Sequence, residues 1–151
     1  MPDRPASVLF CCTSNALRSP MAEAIAKHLF GRELTIDSAG LRAGSLDMFA
    51  VAAMDEIGID ISQHTPKSFD ELEETAFDLI VSLSPQAQHR AVELTRAAAT
   101  ELEFWNTFDP SMIEGNRDQR LAAYREVRDG LMKRIGERFA DGAAASGGPT
   151  V

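Results

Sequence analysis

Near the start of the chain, five residues separate a cysteine, Cys12, from an arginine, Arg18. A cysteine thiolate is a nucleophile, and an arginine guanidinium is a planar fork of donors that matches two oxygens of a phosphate-like anion. The residues between them interrupt an apolar run, and the backbone N–H groups of such a turn can converge on one point. The spacing therefore predicts a loop that grips an oxyanion, with a thiolate placed to attack it.

The context of this loop favours the ionised form of Cys12. Ser19 and Pro20 are expected to open a helix directly after Arg18, with Pro20 suited to the first helical position. The helix N-terminus supplies unpaired N–H donors and a positive partial charge, which stabilise a nearby thiolate, and Ser19 can donate a hydrogen bond to it. The competing interpretation makes Cys12 a buried apolar residue and Arg18 a surface charge.

A proton donor for the leaving oxygen is predicted at Asp109, which is followed by Pro110. Displacing an alkoxide or a phenoxide from phosphorus requires such a donor. Pro110 would stiffen the loop, and Trp105 and Phe108 would partly shield the carboxyl from water, which favours its protonated form. Asp-Pro is also a common turn, so a purely structural role for Asp109 stays open.

The elements that must position these residues alternate between strand and helix. Apolar runs predict strands at residues 7–12, 34–37, 77–83 and 102–105. Helices are expected from Ser19 to Leu29, at 47–57, 68–74 and 85–98, and over a long final segment. The pattern predicts one α/β domain with a four-stranded parallel sheet, helices on both faces and the phosphate loop after the first strand. In such folds ligands bind beyond the carboxyl ends of the strands, where Cys12 and Asp109 both lie.

Composition narrows the class of protein. The chain has 151 residues, 44% of them hydrophobic and 25% charged, and a formal charge of -8, which makes nucleic acid an improbable partner. The two cysteines are adjacent, so no structural disulfide is expected, and neither a signal peptide nor a membrane span is recognisable. We predict a cytoplasmic enzyme without cofactor or metal, with its domain at residues 1–140 and a disordered tail at 141–151.

Taken together, these residues resemble the low-molecular-weight protein tyrosine phosphatases and the related thioredoxin-coupled arsenate reductases. The similarity begins with residues 8–15 and 18–24, continues in order through 38–40, 58–62 and 109–110, and covers roughly residues 7 to 140. The resemblance implies that Cys12 is the nucleophile, Arg18 the phosphate clamp and Asp109 the general acid. It also implies a phosphate-binding loop made of Thr13, Ser14, Asn15, Ala16, Leu17, Arg18 and Ser19, supported by Ser38 and by a hydrogen bond from His64 near Asn15.

The sequence departs from both branches of this family. Residues 104–110 and the short spacing between Ser84 and Asp109 are more similar to the reductases. Those reductases, however, use two further cysteines after the third strand, where residues 84–89 contain none, and Lys67 stands where they place an acidic residue that helps bind potassium. The phosphatases in turn carry aromatic residues after Asp-Pro, where this chain has Ser111-Met112. Many of them also have a second loop cysteine and a loop glycine, where this chain has Leu17 and Ser14.

The sequence favours hydrolysis of phosphomonoesters, in particular protein phosphotyrosine, through a phosphocysteine on Cys12. The expected ligands are a phosphorylated protein or small phosphomonoester and oxyanions such as phosphate, arsenate or vanadate, with no nucleic acid and no membrane. Two alternatives stay open. One is arsenate reduction with an external thiol, and the other is a phosphate-binding module that has kept the loop and lost turnover.

Overall fold

Four parallel strands form the centre of the fold in the computed structural model, which describes residues 4–73, 76–96 and 99–140. The strands are β1 (Ser7–Cys12), β2 (Thr35–Gly40), β3 (Leu79–Ser82) and β4 (Glu101–Phe104). Their order across the sheet is β2-β1-β3-β4, so β1 is an interior strand with a partner on each side. The end of β1, where Cys12 lies, is therefore surrounded by the connections that follow β2, β3 and β4.

Helices cover both faces of this sheet. They are α1 (Arg18–Phe30), α2 (Met48–Asp55), α3 (Pro85–Thr95) and α4 (Arg117–Phe139), and short 3₁₀ turns lie at Phe69–Glu71 and Pro110–Met112. Residues of α1, α2 and α4 share the larger apolar cluster on one face, whereas α3 packs on the other. The predicted α/β domain with a four-stranded parallel sheet and helices on both faces is confirmed.

The alternation of side chains along β1 separates the two cysteines. Phe10 and Cys12 belong to the larger cluster, under α1, α2 and α4. Leu9 and Cys11 belong to the smaller cluster, under α3. Because successive strand residues point to opposite faces, the two thiols lie on opposite sides of the sheet, as expected from the sequence.

Several element boundaries differ from those predicted. Strand β2 runs to Gly40 rather than to residue 37, because Ser38 pairs with Phe10 of β1 and Gly40 pairs with Cys12. Helix α1 begins at Arg18, so Pro20 is its third residue, still within the first turn where a proline fits. Leu29 is 42% exposed and does not belong to the buried stripe.

Other predictions extend past the described residues. The acidic helix expected at 68–74 is a single turn at Phe69–Glu71, and residue 74 lies outside the described part of the chain. The helix predicted at 85–98 is α3, which ends at Thr95 with Arg96 as its C-cap, and residues 97 and 98 lie outside the described part of the chain. The predicted tail at 141–151 and residues 1–3 of the predicted domain also lie outside the described part of the chain. Among the described helices, none is long and apolar enough to cross a membrane.

The segment after β4 carries Asp109 toward the end of β1. The Trp105 N–H donates to the Ser82 carbonyl at 2.8 Å, and the Thr107 N–H donates to the Leu83 carbonyl at 2.9 Å. These bonds continue the β3–β4 pairing beyond the strands themselves. They fix the start of the loop that ends at Asp109, so the position of this residue is set by the sheet rather than by a free loop.

Candidate active site

In the loop between β1 and α1, several carbonyls accept hydrogen bonds from the segment after β2, whereas several N–H groups are left without an acceptor among the described residues. Helix α1 starts at Arg18 without a side-chain cap on Leu17, so its first N–H groups are not satisfied by the chain. Within the described part of the chain, the N–H groups of Ser14, Ala16 and Leu17 have no acceptor. The carbonyls of Cys12, Thr13, Ser14 and Ala16 accept from the N–H groups of Leu41, Arg42, Gly44 and Asp47, respectively.

Asn15 organises the loop from within. It is fully buried and has a φ of 52°, a left-handed conformation that asparagine tolerates better than most residues. Its Oδ1 accepts the Lys67 backbone N–H at 2.9 Å, which fixes the orientation of the amide. Its Nδ2 therefore faces Ser19 and Ser38 and donates to both hydroxyls, each at 2.9 Å.

The direction of the hydrogen bond to Cys12 follows from Asn15. Because Ser19 Oγ already accepts from Asn15 Nδ2, its own hydrogen is available for Cys12 Sγ, which lies 2.9 Å away. The Cys12 sulfur therefore accepts a hydroxyl hydrogen bond close to the N-terminus of α1.

A buried carboxylate, Glu23, lies at the far end of this network. Its Oε1 accepts from Ser38 Oγ at 2.5 Å, and its Oε2 accepts from Lys27 Nζ at 2.6 Å. Ser38 must use its hydrogen for Glu23, which leaves the Ser38 oxygen to accept from Asn15. Sequence reasoning assigned no role to Glu23, although this residue lies inside the stretch of α1 that carries the family resemblance.

His64 makes the expected hydrogen bond to Asn15, with 3.0 Å between Nε2 and Oδ1. Since an amide oxygen only accepts, the Nε2 atom must carry the hydrogen. Burial lowers the pKa of His64 from its usual value, the Lys67 ammonium acts in the same direction, and the nearby Glu23 and Asp37 carboxylates oppose them. The bond to Asn15 thus places a hydrogen on Nε2, and burial of the ring favours its neutral form.

Arg18 joins the phosphate loop to the loop that carries Asp109. One guanidinium nitrogen, Nη1, donates to the Thr107 carbonyl at 2.9 Å, and Nη2 lies 4.0 Å from Asp109 Oδ2. Arginine has five N–H donors, so the bond to Thr107 leaves others for an anion. The contact with Thr107 uses a backbone carbonyl, for which the sequence carries no signal.

Asp109 lies at the edge of the site with its side chain 34% exposed. Its Oδ1 accepts both the N–H and the hydroxyl of Ser111, at 3.0 and 2.7 Å. The expected shielding by two aromatic rings is wrong. Trp105 packs edge-on against Phe10 in the core, and Phe108 is 56% exposed. The Asp109 carboxyl contacts the Arg18 guanidinium and Ser111 instead.

A cleft of about 140 Å³ opens between the two loops. Asp47 forms part of its wall, caps α2 through Oδ1, and accepts the Tyr124 hydroxyl on Oδ2 at 2.6 Å. Larger grooves elsewhere on the surface contain no cysteine. The residues that line the cleft are Cys12, Ser14, Ala16, Leu17, Arg18, Ser45, Asp47, Asp109 and Ser111, none of them aromatic.

Cys11 differs from Cys12 in its position in the sheet and in its surroundings. It is completely buried on the opposite face, with Sγ 3.7 Å from the Val81 carbonyl. Burial, with a smaller effect of the adjacent Cys12, raises the pKa of the Cys11 thiol far above its usual range. This thiol can serve neither as a thiolate nor as a partner for Cys12 without unfolding.

The structure brings every predicted site residue to one place. Cys12, Asn15, Ser19, Ser38 and His64 form one hydrogen-bonded network, and Arg18 connects the loop to Asp109. Thr13 faces the connection after β3, where its hydroxyl donates to Ser84 Oγ at 3.1 Å. Among the described residues, no group of three or more His, Cys, Asp or Glu side chains is arranged to hold a metal ion.

Comparison with known proteins relates this geometry to one family. The family model described as low molecular weight phosphotyrosine protein phosphatase matches residues 7–139. An arsenate reductase of Halalkalibacterium halodurans is 38% identical over 130 residues, which are 85% of this chain and 91% of the relative. A solved arsenate reductase in its oxidized state superposes with a TM-score of 0.73 at 28% identity, covering 89% of this chain and 97% of the other. The low molecular weight protein tyrosine phosphatase of T. tengcongensis gives 0.70 at 28% identity, over 85% and 94% of the two chains.

Proposed function

The chain belongs to the low molecular weight phosphotyrosine protein phosphatase family, and from that membership we propose that it hydrolyses phosphomonoesters through a phosphocysteine on Cys12. Its relatives form a class of cysteine-based enzymes that includes both phosphatases and arsenate reductases. The observation that carries the proposal is the arrangement of three groups around one cleft. The Cys12 side chain and the Arg18 guanidinium line it, and an Asp109 carboxyl oxygen lies 4.0 Å from that guanidinium.

The proposed reaction has two steps. The Cys12 thiolate attacks phosphorus, an S–P bond forms, and the P–O bond to the leaving group breaks while Asp109 gives its proton to the leaving oxygen. Loop N–H groups and Arg18 hold the three remaining phosphoryl oxygens, on which charge is spread in the transition state. Water then attacks phosphorus, Asp109 accepts its proton, and the S–P bond breaks to return the thiolate.

The family description favours protein phosphotyrosine as the substrate, and small aryl phosphates share the reacting group. Phosphate, arsenate and vanadate would bind in the same cradle, because all three present tetrahedral oxygens to the N–H groups and to Arg18. Because both cysteines are unpaired, we propose a reducing compartment, the cytoplasm, for the reaction.

Arsenate reduction with an external thiol is the second candidate, because relatives at 38% identity are named arsenate reductases. In this reaction Cys12 would form an S–As bond with arsenate, with loss of water. A small thiolate would then attack Cys12 Sγ, a disulfide would form, and the electron pair of the broken S–As bond would stay on arsenic as arsenite. A second thiol would release Cys12 by exchange.

The position of the cysteines argues against arsenate reduction through a disulfide relay within the chain. The chain has only two cysteines, and the second, Cys11, is buried on the other side of the sheet. The connection after β3 approaches the phosphate loop at Ser84, where a serine and not a cysteine contacts Thr13. A disulfide relay within the chain is therefore impossible in this fold, whereas hydrolysis requires no second thiol.

Two assays run in parallel on the same preparation test the proposal. We expect hydrolysis of an activated aryl phosphate that disappears in Cys12→Ser and persists in Cys11→Ser. We expect no sustained cofactor oxidation with arsenate, thioredoxin and thioredoxin reductase. Arsenate-dependent consumption of a small thiol without phosphate release would overturn the proposal in favour of the reductase. Phosphate binding without either reaction would make the protein a binding module.

A further inference from the structure

We propose that Ser111 is a positioning residue for Asp109, which makes one particular oxygen of the carboxyl carry the proton. The inference rests on the proposed function, because it assigns a task within the protonation of the leaving group. It starts from an asymmetry between the two carboxyl oxygens. Oδ1 accepts two hydrogen bonds from Ser111, whereas Oδ2 lies 4.0 Å from Arg18 Nη2 and has no hydrogen bond within the described part of the chain.

The asymmetry decides where a proton can sit. An oxygen of a carboxyl group has two lone pairs in its plane, and the N–H and hydroxyl of Ser111 occupy both of those on Oδ1. As long as Ser111 donates both bonds to Oδ1, a proton binds Oδ2, the oxygen on the side of Arg18 and therefore of the anion. When the leaving group departs, the Oδ2–H bond breaks and an O–H bond forms on the leaving oxygen. Oδ1 keeps both bonds to Ser111 throughout.

The hydroxyl of Ser111 is the decisive part of this arrangement. The backbone N–H alone, at 3.0 Å, would fill one lone pair, as in any turn that an aspartate caps. The shorter bond from Oγ, at 2.7 Å, fills the second and resists rotation of the carboxyl about its Cβ–Cγ bond. Since Ser111 also lines the cleft, the constraint acts at the place where the leaving group must lie.

The alternative is that Ser111 only shapes the turn after Pro110, and kinetics with two leaving groups separates the two roles. In Ser111→Ala, kcat/KM for phenyl phosphate, which needs a proton, should fall about tenfold. For an activated dinitrophenyl ester the change should stay within about twofold. Ser111→Thr keeps the hydroxyl and should restore the phenyl phosphate rate. In an Asp109→Asn background, Ser111→Ala should have no further effect on either substrate.

A structural readout keeps the inference testable apart from the proposed function. In crystals soaked with orthovanadate, the wild-type carboxyl should keep Oδ1 on Ser111, and in Ser111→Ala its plane should turn away from the cleft. Equal losses with both esters, additivity with Asp109→Asn, or an unmoved carboxyl in the variant would overturn the inference. If the wild-type protein hydrolyses neither ester, the proposed function fails, and the crystal comparison still decides whether Ser111 orients Asp109.

Discussion

At the scale of single residues, the geometry of the site depends on which groups donate and which accept hydrogen bonds, and not on charge alone. The Lys67 N–H fixes the amide of Asn15, Asn15 fixes the hydroxyl of Ser19, and Ser19 donates to Cys12. In this series, each hydrogen bond fixes whether the next group donates or accepts. In the proposed mechanism, the fold therefore prepares Cys12 before any substrate arrives, which is how preorganised sites lower a barrier.

Arg18→Lys tests the two-pronged contact at this scale. Lysine keeps the positive charge but loses the planar fork and cannot both hold the Thr107 carbonyl and bridge two phosphoryl oxygens. We expect kcat/KM for an aryl phosphate to fall by at least about 10²-fold. The exposed Arg42 provides the matched control, and Arg42→Lys should be nearly neutral. Near-normal turnover in Arg18→Lys would show that backbone N–H groups suffice as the clamp.

His64 predicts how stability depends on pH. Its folded-state pKa lies below the unfolded value of about 6.5, so the unfolded chain binds the proton more readily. The stability that the neutral ring contributes is fully present above that value and is lost as the pH falls through it. Glutamine keeps an N–H donor for Asn15 and does not titrate, so His64→Gln is the matched variant.

Urea unfolding of both proteins between about pH 7.5 and pH 5.5 measures this effect. The free energy of unfolding of the wild type should fall relative to that of His64→Gln as the pH is lowered. Titrations common to both proteins cancel in this difference. The assignment of a neutral His64 would be contradicted if this difference in free energy of unfolding stayed constant with pH, or if the wild type became relatively more stable as the pH is lowered.

At the scale of elements, β2 shapes the phosphate loop as much as β1 does. A Cβ added to Gly40 would lie 2.7 Å from the Asn15 nitrogen, 2.8 Å from the Arg42 carbonyl oxygen and 2.9 Å from the Ser14 carbonyl carbon. All three are backbone atoms, so the loop itself would have to move. The end of β2 thus packs directly against the backbone of the phosphate loop and limits the conformations that the loop can adopt.

Gly40→Ala should therefore damage binding and stability together. We expect vanadate inhibition to weaken at least about tenfold and the free energy of unfolding to fall by about 1–3 kcal/mol. Gly130 is the control, because a Cβ there meets nothing within 4 Å and the residue lies inside α4. Gly130→Ala should stabilise the protein by up to about 1 kcal/mol. Unchanged vanadate binding in Gly40→Ala would mean that the loop tolerates displacement.

The sequence predicts the presence of the strands and helices better than it predicts the residues at which they end. The apolar run of β1 and the stop at Cys12 were unambiguous, since a buried interior strand reads as continuous apolar residues. The extension of β2 to Gly40 was missed because small residues such as Ser38 and Ala39 carry a turn signal. Their pairing with β1, a tertiary contact, overrides that local preference.

For the site, side-chain chemistry was predictable and its supporting contacts were not. Cys12 and Arg18 follow from residue type and spacing, and the structure places both on one cleft. The Thr107 carbonyl and the Ser38–Glu23 bond join segments that are far apart in the chain, so no local pattern contains them. The prediction that aromatic rings shield Asp109 from water is wrong because closeness in sequence to Trp105 does not determine the direction in which that ring packs.

At the scale of the whole molecule, the last helix closes the core beneath the site. The Phe139 ring lies 6.3 Å from Phe10, 6.2 Å from Phe30 and 6.4 Å from Trp105, measured between ring centroids. These contacts connect the end of α4 to β1, α1 and the start of the loop that carries Asp109. We propose residues 1–140 as one folding unit on this basis, with the tail beyond it outside the described residues.

Phe139→Ala tests this closure. Because the ring is fully buried among three others, we expect the free energy of unfolding to fall by about 3–5 kcal/mol in urea. Phe108→Ala, at a ring that is 56% exposed, should change it by less than about 0.5 kcal/mol. Equal effects of the two substitutions would show that α4 contributes little to the core.

The most direct test of the account is to trap the covalent intermediate on Cys12. Asp109→Asn, combined with Cys11→Ser to remove the adjacent thiol, should form the intermediate from an activated nitrophenyl ester and hydrolyse it slowly. Mass spectrometry after rapid acid quenching should find one phosphoryl group on the peptide that contains Cys12, and none after Cys12→Ser. A phosphoryl group on another residue, or continued turnover in Cys12→Ser, would contradict the account.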